Sequence, residues 1–74
     1  MDSKKLLNIL CKELNRKNIT LNSKIKDIEE WDSIAHLKIL MEFERIYGSK
    51  IHKYKELLTA KTVKKILEIL KNIK

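Results

Sequence analysis

WDSIAHLKILMEFERIY, Trp31 to Tyr47, opens with an Asp-Ser pair and continues as an unbroken run of apolar and charged residues. Asp and Ser are favoured where a helix begins, because its first amide N–H groups have no intrahelical acceptors. Ser33 is therefore expected at a helix mouth. A hydroxyl held there is well placed to carry a phosphate, since unpaired N–H groups and the positive end of the helix dipole both favour an anion. Taken alone, Asp-Ser at a helix start reads as a cap.

Turning 100° per residue from Ile34 puts Ile39, Phe43, Ile46, Leu40 and Tyr47 on one face, spanning about 120° to 240°. That face should enter a core. Ile34, Leu37 and Met41 fall on the other side, within about 60° of the start and interleaved with Lys38 and Arg45. An exposed apolar trio of this kind reads as a contact surface; the competing expectation is that a loop or a third helix folds over it.

Around this helix the chain reads as one small all-α domain, 1–74. With one Gly and no Pro in 74 residues, a turn-rich β fold is disfavoured. A domain of this size buries only about 60% of its unfolded surface, too little for a deep enzymatic cleft. No apolar run approaches the roughly 18 residues of a membrane span, and MDSKKLLNIL is too short and interrupted for a signal peptide. A cytoplasmic protein is expected. The single Cys11 cannot form an internal disulfide and reads as a small core hydrophobe.

Ser3 can cap a first helix running to about Asn15, with Leu6, Leu7, Leu10 and Leu14 as its apolar stripe. From Arg16 to Glu30 periodicity lapses. Such a long connection must be functional or pinned by its own apolar residues, here Ile19, Leu21, Ile25 and Ile28, with Trp31 as the last pin. Gly48 reads as a left-handed glycine closing the second helix. Ser49 to Thr59 reads as a loop and a short helix anchored inward by Ile51, Tyr54, Leu57 and Leu58. Thr62 caps a final helix with Val63, Ile66, Leu67, Leu70 and Ile73 inside and Lys64, Lys65, Lys71 and Lys74 outside. A basic amphipathic helix can lie on an anionic membrane, but the fold needs this stripe to close its core.

The net charge of +7 invites a nucleic-acid partner. Its distribution argues against one: residues 1–27 carry +4 and 49–74 carry +6, whereas 28–48, around Ser33, carry −3. Fifteen of the seventeen basic residues are Lys, and basicity poor in Arg and aromatics suits solvated helix faces better than base reading.

Asp32, Ser33 and His36 also suggest a hydrolytic triad. The geometry is poor, because Asp32 adjoins the serine instead of orienting the imidazole and no Gly-rich turn supplies an oxyanion hole. No catalytic residue is assigned. His36 reads as a partly buried helix residue, and His52, with no second ligand at a useful spacing, as a loop residue and not a metal ligand.

Asp32-Ser33-Ile34, the apolar residues Leu37, Ile39, Leu40, Met41 and Phe43, and then Glu44 and Tyr47 resemble the second helix of acyl carrier and related phosphopantetheine-binding proteins, whose motif is Asp-Ser-Leu. Length, helix order and the long first loop extend the resemblance over roughly Leu6 to Leu70. A Trp before Asp-Ser is similar to stand-alone carriers of specialised pathways, whereas Lys38 and Arg45 stand where the family is often acidic.

The resemblance implies a four-helix bundle with a long first loop and a short third helix. It makes Ser33 the attachment point of a 4′-phosphopantetheine arm taken from coenzyme A by a phosphopantetheinyl transferase. Asp32 would support it, by capping or through its charge toward a transferase-bound metal. Ile34, Leu37 and Met41 would bind partners, with Lys38, Glu42, Glu44 and Arg45 tuning selectivity among acyl- or aminoacyl-loading and transferring enzymes. A monomer is expected, with no resident metal. The alternative is a small basic helical module that binds nucleic acid or a protein.

Overall fold

Three apolar stripes at helical spacing become α-helices, α1 (Ser3–Leu14), α2 (Ser33–Tyr47) and α4 (Val63–Lys71), and a single further turn forms α3 (Glu56–Thr59). The computed structural model describes residues 1–73; Lys74 lies outside them. Two 3-10 turns, Ile25–Asp27 and Gly48–Lys53, complete the regular structure, and no strand forms among the described residues beyond a single antiparallel bridge, Lys24 with Thr62. The radius of gyration, 11.2 Å, matches the roughly 11 Å of a compact chain of this length.

The helices start where short polar side chains reach an unpaired amide. Asp32 Oδ1 accepts from Ala35 N–H at 2.8 Å, and Thr62 Oγ1 from Lys65 N–H at 3.1 Å. At α1 the cap is Asp2, not the expected Ser3: Asp2 Oδ1 accepts from Lys5 N–H at 2.7 Å, so the helix starts one residue earlier in register and Ser3 is already helical. Asn15 ends that helix in the left-handed region, φ 52°, which Asn tolerates.

Leu6, Leu10 and Leu14 of α1 meet Ile39 and Phe43 of α2, and Val63, Ile66, Leu67, Ile69 and Leu70 of α4 close the core. No polar or charged residue is buried among those described. Truncating a fully buried residue such as Leu6 or Phe43 costs about 2–5 kcal/mol. Ile19, Ile28 and Trp31 join the core from the first loop, with Leu21 and Ile25 half-buried against it.

Two expected core residues lie outside. Ile46, at the margin of the predicted arc, is 41% exposed. Leu58 is 62% exposed, because α3 is a single turn whose inward position Leu57 already occupies, and the next residue points about 100° away. Gly48 does end α2 with positive φ, but at φ 79°, ψ −167° it sits in a region nearly confined to glycine and not in the left-handed helical basin.

The first loop is sewn to the start of α4 by backbone. Ile25 N–H donates to Lys61 O at 2.9 Å, Val63 N–H to Ser23 O at 3.1 Å and Lys64 N–H to Leu21 O at 3.0 Å. With Lys65 N–H on Thr62 Oγ1 and Ile66 N–H on Thr62 O, the opening amides of α4 all have acceptors. Arg16 braces the other side of the loop, reaching Glu30 at 3.0 Å and Asn18 at 2.9 Å.

Candidate functional site

Ser33 is the first helical residue of α2, exposed, directly after its cap Asp32. Asp32 is extended, at φ −92° and ψ −173°, and its carbonyl accepts from His36 N–H at 2.9 Å. Its side chain holds Ala35 N–H, so among the described residues Ser33 N–H and Ile34 N–H remain without an acceptor. Two free amides and the helix dipole thus converge beside the hydroxyl.

Behind the serine, Trp31 is 7% exposed and its indole N–H donates to His36 Nδ1 at 2.9 Å. His36 Nε2 lies 3.0 Å from Leu57 O of α3. An indole N–H can only donate and a carbonyl can only accept, so this pattern fixes the neutral imidazole with its proton on Nε2. Both ring nitrogens are therefore engaged with Trp31 and Leu57, and neither hydrogen-bonds Ser33. The Trp31 and His36 rings, tilted and 6.0 Å apart, tie the end of the first loop to the first turn of α2, and the His36–Leu57 contact ties that turn to α3.

Ser33 opens on a groove of about 380 Å3 walled by Trp31, His36, Leu37, Leu40 and Leu58. Leu37, Leu40 and Leu58 are shared with a second hollow of about 230 Å3 between α2, the second 3-10 turn and α3, which reaches Ile51, Tyr54 and Leu57. An apolar path therefore leads from the serine along α2. Phe43 is committed to the core, Tyr54 lines the far hollow, and Tyr47 is half-buried.

On the outer side of α2, Ile34 (66% exposed), Leu37 (61%) and Met41 (64%) remain uncovered. The expectation that a loop or α3 folds over them does not hold. α3 instead adds exposed Leu58, and Lys55 borders the same hollow as Leu37 and Met41. Sequence reading missed Leu58 as a surface residue; the adjacent Leu57-Leu58 pair is the available signal, since one turn of helix can bury only one of them.

Lys38 is exposed. Glu42 accepts from Arg45 at 3.0 Å, and Glu44 is paired with His52 of the second 3-10 turn. Among the described residues no group of three or more His, Cys, Asp or Glu is placed to hold a metal ion, and no helix is long and apolar enough to cross a membrane. Cys11 is half-buried. Burial pushes the Tyr47 hydroxyl above its ordinary pKa, and its oxygen has no hydrogen-bond partner among the described residues.

Comparison of the chain with protein-family models, with curated proteins and with solved structures gave no match.

Proposed function

We propose that this protein is a stand-alone acyl-carrier-like domain, a small four-helix bundle that bears a 4′-phosphopantetheine arm on Ser33. The observation that carries the reading is the exposed Ser33 hydroxyl at the mouth of α2, beside two amides without acceptors and at the head of an apolar groove. An anionic phosphodiester fits the free N–H groups, and an elongated thiol arm fits the groove.

In the loading step a phosphopantetheinyl transferase presents coenzyme A. The Ser33 Oγ–H gives its proton to the transferase, an Oγ–P bond forms, and the bond to the departing adenosine bisphosphate breaks. Ser33 is the acceptor and performs no catalysis. Asp32 holds the first turn in the conformation that presents Oγ, through its bond to Ala35 N–H. Once attached, the arm supplies a thiol that carries acyl or aminoacyl groups as thioesters. Trp31 and His36 wall its root, and tethering keeps cargo at high effective concentration near each enzyme.

The test is an intact-protein mass spectrum after incubation with coenzyme A and a broad-specificity phosphopantetheinyl transferase, beside Ser33→Ala. A gain of one phosphopantetheine in the wild type alone is expected, with the variant folded. Absence of any gain from several transferases, in a folded protein, would reduce Asp32-Ser33 to a cap. The basic-module reading would then predict nucleic-acid binding that falls steeply with salt and survives Ser33→Ala.

A further inference from the structure

We infer that the hollow between the first loop and the start of α4 is a binding site for a small oxyanion, a carboxylate or phosphate group with a short carbon chain behind it. The hollow has a volume of about 550 Å3 and is lined by Lys24, Ile25, Lys26, Ala60, Lys61 and Thr62. No carboxylate is among these residues.

Most basic residues of the chain lie singly on solvated faces, but here two segments remote in sequence bring three lysines to one concavity. Backbone holds them there: Ile25 N–H donates to Lys61 O at 2.9 Å, and Lys24 is bridged to Thr62. All three are exposed, and none enters an ion pair among the described residues. Asp27 follows Lys26 directly, and Glu56 lines the adjoining hollow that Lys61 and Thr62 share; neither lines this one or pairs with its lysines. Like charges gathered on a fixed backbone repel one another, and an anion seated among them relieves that repulsion.

Two further features define the ligand class. Thr62 Oγ1 already accepts from Lys65 N–H at 3.1 Å, so its own proton is left to donate, and no acceptor takes it among the described residues. An oxyanion accepts from that hydroxyl and from the ammonium groups together. Ile25 and Ala60, both half-buried, give the hollow an apolar floor for the carbon part. The terminus of α4 itself contributes nothing, because its opening amides are already bonded.

Ile25 also lines the groove at Ser33, so two sources can bring the anion: a free small molecule, or the end of a cargo held on the Ser33 arm. The site itself does not rest on the carrier reading.

The experiment is a titration of the isotope-labelled full chain with inorganic phosphate and with succinate, at constant ionic strength, followed by amide chemical shifts. Saturable shifts are expected at residues 24–26 and 60–62. K24E/K61E should weaken binding at least about 10-fold, since each reversal replaces an attraction by a repulsion, whereas K17E/K71E, equal in net charge, should change it less than about 2-fold. Lys24 and Lys61 serve the fold through backbone groups alone, so K24E/K61E stays folded, which its amide spectrum verifies.

Shifts without saturation, shifts spread alike over the lysines of α1, or equal losses in the two variants mean diffuse attraction to a basic chain and overturn the site. A second arm compares the chain loaded on Ser33 from succinyl- or butyryl-coenzyme A by the same transferase. Shifts at residues 24–26 and 60–62 with the succinyl cargo alone name the cargo as the source; their absence, with saturable binding of the free anions, names a diffusible molecule, and either result upholds the site. Failure to load overturns the carrier reading only, because the titration needs no arm.

Discussion

Breaking the Trp31–His36 link should show how firmly the mouth of α2 is held. Trp31→Phe removes the indole N–H and leaves His36 Nδ1 without its donor; His36→Leu removes both ring nitrogens and leaves Leu57 O without its own. A hydrogen bond of this kind contributes about 0.5–1.5 kcal/mol net, and the burial of Trp31 places this one near the upper end. The tilted ring contact adds a few tenths of a kcal/mol. Trp31→Phe should cost about 2 kcal/mol once the smaller ring is included.

The loss at Leu57 O is common to both backgrounds of a double-mutant cycle and cancels. The coupling energy should therefore be about 1–1.5 kcal/mol, equivalent to roughly 4–12 °C in Tm for a domain of this size. The assay is urea unfolding followed by far-UV circular dichroism, which does not depend on the indole being replaced. Coupling within the additivity limit of about 0.3–0.5 kcal/mol would refute the link as an energetic connection between Trp31 and the first turn of α2.

Two further predictions concern stability. Tyr47→Phe removes a buried hydroxyl that has no partner and should stabilise by up to about 1 kcal/mol in the same assay. Since burial raises the folded pKa above the ordinary 10.0, the unfolded chain ionises first; stability is intact below that value, falls as pH rises through the window above it, and Tyr47→Phe should flatten the alkaline limb. Gly48→Ala should cost about 1–3 kcal/mol through backbone strain alone, because an added Cβ meets nothing within 4 Å. Gly48→Asn should recover little of it in thermal unfolding, whereas a left-handed helical cap would accept Asn.

What could be read from the sequence divides along physical lines. The Asp32 cap, the buried Ile39 and Phe43 and the outward Ile34, Leu37 and Met41 were legible because fifteen residues of α2 repeat one period four times over. Ile46 was misplaced because it lies where the core face ends, and there a few degrees decide between burial and water. Leu58 was misplaced because a four-residue helix has no period to read. Asp2 and Ser3 are both competent caps, and composition alone does not choose between them. At the candidate site, Ser33 and its groove wall Leu37 lay on the legible helix, whereas Leu57 O, which holds His36, is a backbone atom with no residue signature. The link from loop to α4 was invisible for the same reason, since any residue at Leu21 or Ser23 would offer the same carbonyl.

That link changes what the connection between α1 and α2 is for. α4 has nine residues, fewer than the roughly 12–15 an isolated helix needs to persist in water, and its first two amides find their acceptors on residues some forty positions earlier in the chain. The first two amides of the last helix are therefore satisfied by protein only once the loop is in place. Loop and helix should protect these amides from exchange as one cooperative unit. Shortening the connection would thus melt the far end of the molecule, and a segment of irregular backbone serves here as the template on which the final helix is built.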